Sequence, residues 1–287
     1  MRKKSTFSLE LVISIWLFFS ISCTRHHISQ AKPINYLHLQ DRLFVNHHVD
    51  KACYAFIDKT FYLMHKSENA IYIYKQGQLW NIIGGPGFGE SNFRRLTDIN
   101  LGADGTLYAL DSSERSLKKF DRTGKYQGQV LLTGTTKPSH FAISSTGGIF
   151  IYDNYLKEIA FFDYFSLNVK YTFGKFQIES CDELYLIGDF INIYSKPSNS
   201  TTIFFVNGLY ENSYQGKMLV DSYHNLYLIA EKSIIEHFSQ KQLINLQNDH
   251  HQQIDKNSYI ELLNFDKDFL LINHNQEIQV YRLIYTS

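Results

Sequence analysis

The chain of 287 residues has few prolines, cysteines and tryptophans: 4 Pro, 3 Cys and 2 Trp. So few prolines argue against a Pro-rich linker between domains. The cysteines form no C-x-x-C pair, so nothing indicates a structural zinc site. Lys plus Arg and Asp plus Glu both number 28, which gives a formal net charge of zero. Without a basic excess, we expect no nucleic-acid partner.

Catalytic and nucleotide-binding motifs are missing as well. The sequence contains no Gly-x-Ser-x-Gly elbow and no paired-carboxylate signature. The Gly-rich loop GGPGFG at 84–89 is not followed by Gly-Lys-Ser/Thr and a helix, as a phosphate-binding loop requires. Asn92 and Phe93 lead instead towards another strand. We interpret this loop as a crossover between two sheets.

The N-terminal residues have the pattern of an export signal. A positive segment at 2–4 precedes an apolar run at 11–21, LVISIWLFFSI, which is too short for a typical transmembrane helix. The run ends in the tripeptide ISC, which resembles a bacterial lipobox with Cys23 as the lipidated residue.

We therefore expect a lipoprotein-type signal peptide at 1–22, a linker at 23–34 and the folded domain at 35–287, with lipidation at Cys23. Such a chain is held at the cell envelope, on the periplasmic side or the cell surface, and touches the membrane through its lipid only. An ordinary signal peptide, which gives a secreted protein, and an uncleaved anchor are the alternatives.

What is abundant is aromatic residues, with 20 Tyr and 22 Phe, which suit half-buried strands. An apolar strand pattern recurs at intervals of roughly 35–46 residues, the range of propeller blades. The six copies lie at 60–64, 106–111, 148–153, 190–194, 225–229 and 268–272. Most are preceded by another apolar run and a turn, such as INLGADG at 99–105, and Asp-Gly or Gly-Gly pairs favour hairpins there.

Two further runs follow each of the first five copies, so each module predicts four strands. The sixth module stops after its third strand, EIQVYR at 277–282. An unassigned alternating run at 36–45 precedes the first module and can supply the missing outer strand. The sequence thus predicts an all-β fold, a six-bladed β-propeller of four-stranded blades, with the ring closed by an N-terminal strand that completes the last blade.

The second module carries a family resemblance. Its landmarks are GGPGFG at 84–89, DGTLY at 104–108, Asp111 and the FD pair at 120–121. This module resembles an NHL repeat, and the chain is similar to six-bladed propeller lipoproteins of Gram-negative bacteria. The third module matches in part, and the others keep only the strand pattern. In such blades the Asp that ends the second strand, here Asp111 and Asp153, braces the following turn.

The two cysteines of the predicted propeller, Cys53 and Cys181, fall on first strands of blades 1 and 4, across the ring from each other. A disulfide needs Cα atoms within about 7 Å. We therefore expect two buried free thiols.

First strands of a propeller line its central channel, so polar residues early in them face the axis. The predicted ligand-binding ring at the channel mouth consists of Arg94, Arg95, Asp98, His140, Glu183 and Lys217. A channel mouth is an ordinary place to bind a ligand, and equally to hold ordered water.

The function we expect is non-catalytic: a monomeric module, without cofactor, that binds a protein, peptide or glycan. The alternative is a metal-dependent hydrolase or lyase with a divalent cation in the channel. A lactonase-like site would use Asp98, Asn100 and Glu183, whose oxygens suit such a cation. An amidating-lyase-like site would use His140, but one histidine falls short of the three protein ligands typical of catalytic zinc. A rigid spacer of the envelope is the third class.

Overall fold

The computed structural model describes residues 34–163, 168–221, 223, 225–230, 233–239, 242–245, 260–266, 269–274 and 276–285. The predicted signal peptide, Cys23 and most of the linker lie outside these residues. Within them, no helix has the length and apolar character needed to cross a membrane.

The described residues form six antiparallel sheets of four strands each, which we number in chain order. The first strand, β1 (Ile34–Phe44), belongs to the last sheet. Sheet 1 contains β2 (Lys51–Ala55), β3 (Thr60–His65), β4 (Ala70–Lys75) and β5 (Gln78–Gly84), with a short 3₁₀ turn at Lys66–Glu68. Sheet 2 contains β6 (Leu96–Leu101), β7 (Leu107–Asp111), β8 (Ser116–Phe120) and β9 (Tyr126–Leu131). Sheet 3 contains β10 (Pro138–Ile143), β11 (Ile149–Asp153), β12 (Glu158–Phe162) and β13 (Val169–Phe173).

The remaining sheets follow the same order. Sheet 4 contains β14 (Glu183–Ile187), β15 (Phe190–Ser195), β16 (Ser200–Phe205) and β17 (Tyr210–Gln215). Sheet 5 contains β18 (Met218–Val220), β19 (Leu226–Ala230), β20 (Ser233–Ser239) and β21 (Gln242–Asn245). Sheet 6 contains β22 (Ile260–Asp266), β23 (Phe269–His274), β24 (Glu277–Tyr285) and β1 as its outer strand.

Strand β1 completes sheet 6, as the sequence predicts. It pairs antiparallel with β24 from Ile34 opposite Tyr285 to Phe44 opposite Glu277. The pairing covers the edge of β24 and joins the N-terminal strand of the domain to its C-terminal strand.

The burial pattern explains why the strands stack as blades. Middle strands such as β3 and β11 are buried at every position, because both faces of the sheet pack against neighbouring sheets. Outer strands such as β5 and β17 are largely exposed. Each buried Phe ring between sheets, for example Phe141 or Phe162, stabilises the fold by about 1.5–3 kcal/mol.

The inner strands depart from the predicted even ring of six. Strands β2, β6, β10 and β14 contact one another in order, and β14 then contacts β22, which returns to β2. Strand β18 of sheet 5 lies instead against β15 and β16 of sheet 4. The fold is an all-β β-propeller in which five first strands surround the axis, and sheet 5 is displaced outwards.

The length of the crossover explains this displacement. A chain that leaves an outer strand must cross three strand spacings, about 14 Å, to reach the next inner position. Only Gly216 and Lys217 separate β17 from β18. Three extended steps span only about 10–11 Å. Strand β18 therefore stays over sheet 4, where the Asn192 side chain bonds both backbone groups of Val220.

The expectation for the two cysteines is confirmed. Cys53 lies in the first strand β2, as predicted, whereas Cys181 lies two residues before β14 and not in that strand. Both are buried, and neither is in a disulfide. The Gly-rich loop is also confirmed as a crossover, since β5 ends at Gly84 in sheet 1 and β6 begins at Leu96 in sheet 2.

Candidate functional site

The channel mouth lies at one end of the sheets. Because the strands are antiparallel, the loop before each first strand and the loop between second and third strands fall at this same end, which we call the mouth end. Two aspartates fix its loops. Asp111 accepts hydrogen bonds from the backbone N–H of Arg94, Arg95, Ser113 and Glu114.

Asp153 does the same in sheet 3. It accepts from the backbone N–H of Thr136, Lys137, Tyr155 and Leu156. The predicted bracing role of these two aspartates is confirmed, and each also ties the turn to the start of the first strand.

The buried ion pair of Lys51 and Asp98 joins the first three sheets. Lys51 Nζ lies 2.7 Å from Asp98 Oδ1, and both side chains are largely buried. The other carboxylate oxygen of Asp98 accepts the Phe141 N–H at 2.9 Å. One carboxylate thus connects β2, β6 and β10. Sequence reasoning selected Asp98 but missed Lys51, because the two are 47 positions apart and no local motif links them.

Asn100 also binds the backbone of Phe141 in β10. Its Nδ2 donates to the Phe141 carbonyl at 2.6 Å. Asp98 and Asn100 therefore hold both backbone groups of Phe141, and the Asp98 oxygens that the lactonase-like alternative assigns to a cation have a structural use. Among the described residues, no group of three or more His, Cys, Asp and Glu side chains has an arrangement able to hold a metal ion.

A second ion pair, between Lys217 and Glu183, joins the start of sheet 5 to sheet 4. The Glu183 carboxylate also accepts the Tyr185 hydroxyl. Lys217 Nζ lies 5.8 Å from the Tyr185 ring centroid and 5.6 Å from that of Tyr194. Burial lowers the pKa of Lys217, and the Glu183 carboxylate opposes that shift. Lys217 thus fills a cation site made by one carboxylate and two rings.

His140 interacts electrostatically with the first of these ion pairs. Burial lowers its pKa to about 4; Asp98 opposes the shift, while Lys66 and Lys51 add to it. Its Nδ1 lies 3.1 Å from the Ser139 hydroxyl. The Asp98 carboxylate also contributes to raising the pKa of Tyr185, which burial raises most. Asp98 therefore affects the pKa of both His140 and Tyr185.

The two arginines of the predicted ring lie on the loop before β6, where both are exposed. Arg94 Nε is 3.4 Å from Glu114 Oε1, and its guanidinium lies 4.8 Å from the Phe88 ring centroid. The structure thus groups Arg94 with Glu114 and Phe88, and groups Asp98, His140, Glu183 and Lys217 in the channel.

A pair of histidines at this end was not expected to interact. The rings of His47 and His65 lie 4.5 Å apart, and His65 is buried in β3. Burial lowers the pKa of His65, and His47 adds to the shift. No sequence signal connects these residues, because they meet only when the loop before β2 folds over sheet 1.

We expect acid to destabilise the fold through His140 and His65. Both have a pKa in the folded state below the unfolded value of about 6.5, so the unfolded chain binds more protons below that pH. Their contribution is complete above about pH 6.5 and falls as the pH approaches 4. Urea unfolding at pH 7.5 and 4.5 measures the loss, and His140→Gln should reduce it. An equal loss in that variant would contradict the assignment to His140.

A scan against models of known protein families finds no match, and a search of curated protein sequences finds none. Solved structures do match. Virginiamycin B lyase from Staphylococcus aureus, in a catalytically inactive form with quinupristin, has a TM-score of 0.50 at 11% identity, over 79% of this chain and 78% of that chain. Its selenomethionine form has a TM-score of 0.50 at 10% identity, over 86% and 100%.

A streptogramin B lyase structure has a TM-score of 0.52 at 10% identity, over 86% of this chain and 98% of that chain. At such identities the likeness concerns the fold. It agrees with the sheet arrangement in assigning the chain to the β-propeller class.

Proposed function

We propose that the chain is a non-catalytic binding module that holds a protein, peptide or glycan ligand at the mouth end of its propeller. The observation that carries this proposal is the exposure of large aromatic side chains on three loops of that end. Phe88 is 84% exposed, Tyr155 70% and Phe176 94%. Aromatic side chains dominate the energetics of interfaces, so their exposure together at one end favours a contact surface.

The channel beneath that surface supports the same function. Its charged groups satisfy one another through the Lys51–Asp98 and Lys217–Glu183 pairs, which link neighbouring sheets. Such links stiffen the platform that carries the loops. Arg95 and His140, at the rim and in the channel, complete the proposed ligand-binding set.

In this proposal, sheet 5 is a displaced sixth blade, and the domain at 35–287 is a six-bladed propeller of NHL type. A lipoprotein signal at 1–22 directs export, and a lipid at Cys23 with the linker at 23–34 tethers the monomeric propeller to the cell envelope. The pattern of a positive segment, an apolar run and a cysteine supports this location. Nucleic acid is not part of this proposal, because the chain as a whole has no basic excess of the kind that nucleic-acid binding usually needs.

The metal-dependent hydrolase or lyase receives less support. Two of the structural neighbours are named virginiamycin B lyase and streptogramin B lyase, but their likeness to this chain concerns the fold. The carboxylate oxygens that the lactonase-like site would need are engaged: those of Asp98 accept from Lys51 and Phe141, and the Glu183 carboxylate accepts from Tyr185 and pairs with Lys217. We therefore assign no cofactor.

The test is a quantitative binding screen of the full-length chain, kept in mild detergent, against defined peptide and glycan arrays. We expect hits that are lost in the triple variant Phe88→Ala/Tyr155→Ala/Phe176→Ala and weakened by Arg95→Gln. Ile57→Ala is the matched control, because Ile57 is 81% exposed on the loop between β2 and β3, at the opposite end. Arrays without hits, or equal losses in both variants, would contradict the proposal.

A further inference from the structure

The two ends of the propeller carry opposite charge. Among the described residues, loops of the mouth end hold nine Lys and Arg and six Asp and Glu. Loops of the opposite end hold three Lys and Arg and six Asp and Glu. The chain has a net charge of zero, but its described loops are net positive at the mouth end and net negative at the opposite end. The field of the mouth end attracts an anionic partner.

At this positive end, exposed rings are accompanied by cations. The Arg94 guanidinium lies 4.8 Å from the Phe88 ring centroid, and Lys175 Nζ lies 5.8 Å from that of Phe176. Tyr155 is followed by Lys157 on its turn. The Phe88 and Phe176 units each offer a flat apolar face beside a cation, and a ligand carboxylate at Arg94 would share the guanidinium with Glu114, whose Oε1 lies 3.4 Å from Arg94 Nε.

The loop that carries Phe88 is held rigidly. Asn92 Nδ2 donates to the carbonyls of Gly84 and Gly85, and the buried Lys118 donates to the Asn92 carbonyl at 2.6 Å. Phe93, four residues after Gly89, is fully buried between sheets 1 and 2. Phe88 is therefore presented in a fixed place, which reduces the entropy lost on binding.

The three rings lie on separate loops: one joins sheets 1 and 2, one is within sheet 3, and one joins sheets 3 and 4. A protein partner typically buries one compact patch with an apolar centre. The exposed rings Phe88 and Phe176 are each accompanied by a cation, and such ring-and-cation units fit a linear polymer that repeats a flat apolar face next to an anionic group. A sugar ring with a carboxylate has this chemistry.

We propose that the mouth end binds an acidic polysaccharide, with its sugar rings against Phe88 and Phe176 and its carboxylates paired with Arg94 and Lys175. This inference rests on the proposed binding function and narrows its ligand to one class. Tyr155 and Lys157 extend the same surface between the two units along the chain.

The probe is polygalacturonate, titrated against the full-length chain in mild detergent, with neutral dextran and poly-glutamate as comparison polymers. We expect saturable binding of polygalacturonate, little binding of dextran, and weaker binding of poly-glutamate, which lacks sugar rings. Phe88→Ala and Phe176→Ala should each weaken binding between about two- and tenfold, the range of a single aromatic contact. Arg94→Gln and Lys175→Gln should weaken it and lower its salt dependence.

Ile57→Ala and Lys125→Gln at the opposite end are the controls and should bind as the parent does. Equal losses in the controls would overturn the inference, since they would indicate general charge attraction. Equal binding of dextran would overturn it by removing the need for acidity, and equal binding of poly-glutamate would assign the surface to acidic peptides. If polygalacturonate fails while array peptides bind through Phe88, this inference falls and the binding function stands.

Discussion

Asp98→Asn is expected to lower the free energy of unfolding by about 3–5 kcal/mol, the range for removing one partner of a buried ion pair. The substitution leaves Lys51 with a largely buried charge and no carboxylate at 2.7 Å. It also places an amide where the Phe141 N–H now meets a carboxylate oxygen. Chemical denaturation followed by circular dichroism at pH 7.5 measures the change.

Lys51→Met in the Asp98→Asn background is the informative partner variant. It removes the uncompensated charge, so the double variant should be more stable than Asp98→Asn alone. The surface pair of Lys170 and Asp163 is the matched control, with Nζ and Oδ2 3.0 Å apart but the lysine half exposed. Lys170→Gln should cost less than about 1 kcal/mol. A similarly small effect of Asp98→Asn would show that the channel pair does not stabilise the fold.

Much of the fold could be predicted because strand and turn signals are local. The expected second strand at 106–111 corresponds to β7 (Leu107–Asp111), and the expected outer strand at 78–83 corresponds to β5 (Gln78–Gly84). The N-terminal run at 36–45 corresponds to β1 (Ile34–Phe44). Alternation of apolar residues and Gly-containing turns depends on neighbours in sequence, so these elements can be read without the tertiary structure.

The displaced position of sheet 5 could not be read from the strand pattern, because that pattern describes sheets and not their spacing around the axis. The relevant signal was the length of the crossover. Residues 85–95 connect sheets 1 and 2, whereas only Gly216 and Lys217 connect sheets 4 and 5. A chain-length argument would have identified the exception, since reach is fixed by backbone dimensions.

The site could be predicted only in part, because strand positions are encoded locally and contacts between sheets are not. The strand pattern correctly predicted that Asp98, His140 and Glu183 lie early in the first strands β6, β10 and β14. The partners that neutralise them, Lys51 and Tyr185, come from pairings across sheets that no local spacing encodes. The channel thus contains compensated charges, and the polarity of the two ends emerges only when the loops are sorted by the topology.

The Gly-rich crossover allows a sharper test of the packing between sheets 1 and 2. Gly84→Ala is expected to lower the free energy of unfolding by about 2–5 kcal/mol. Gly84 has φ +92, a conformation that costs other residues about 1–2 kcal/mol. An added Cβ would also lie 2.6 Å from ring atoms of Phe93 and 2.7 Å from the Asn69 carbonyl oxygen. Overpacking of this kind adds about 1–3 kcal/mol, because the fully buried Phe93 must move.

The Gly85→Ala variant separates the cost of the backbone conformation from the cost of overpacking. Gly85 has φ +91, and a Cβ there would meet nothing within 4 Å. Gly85→Ala therefore carries the backbone cost alone, about 1–2 kcal/mol. The difference between the two variants in urea unfolding measures how firmly Phe93 is held between the sheets. Equal losses would show that Phe93 yields without cost, and the loop would then not hold Phe88 in a fixed place for a ligand.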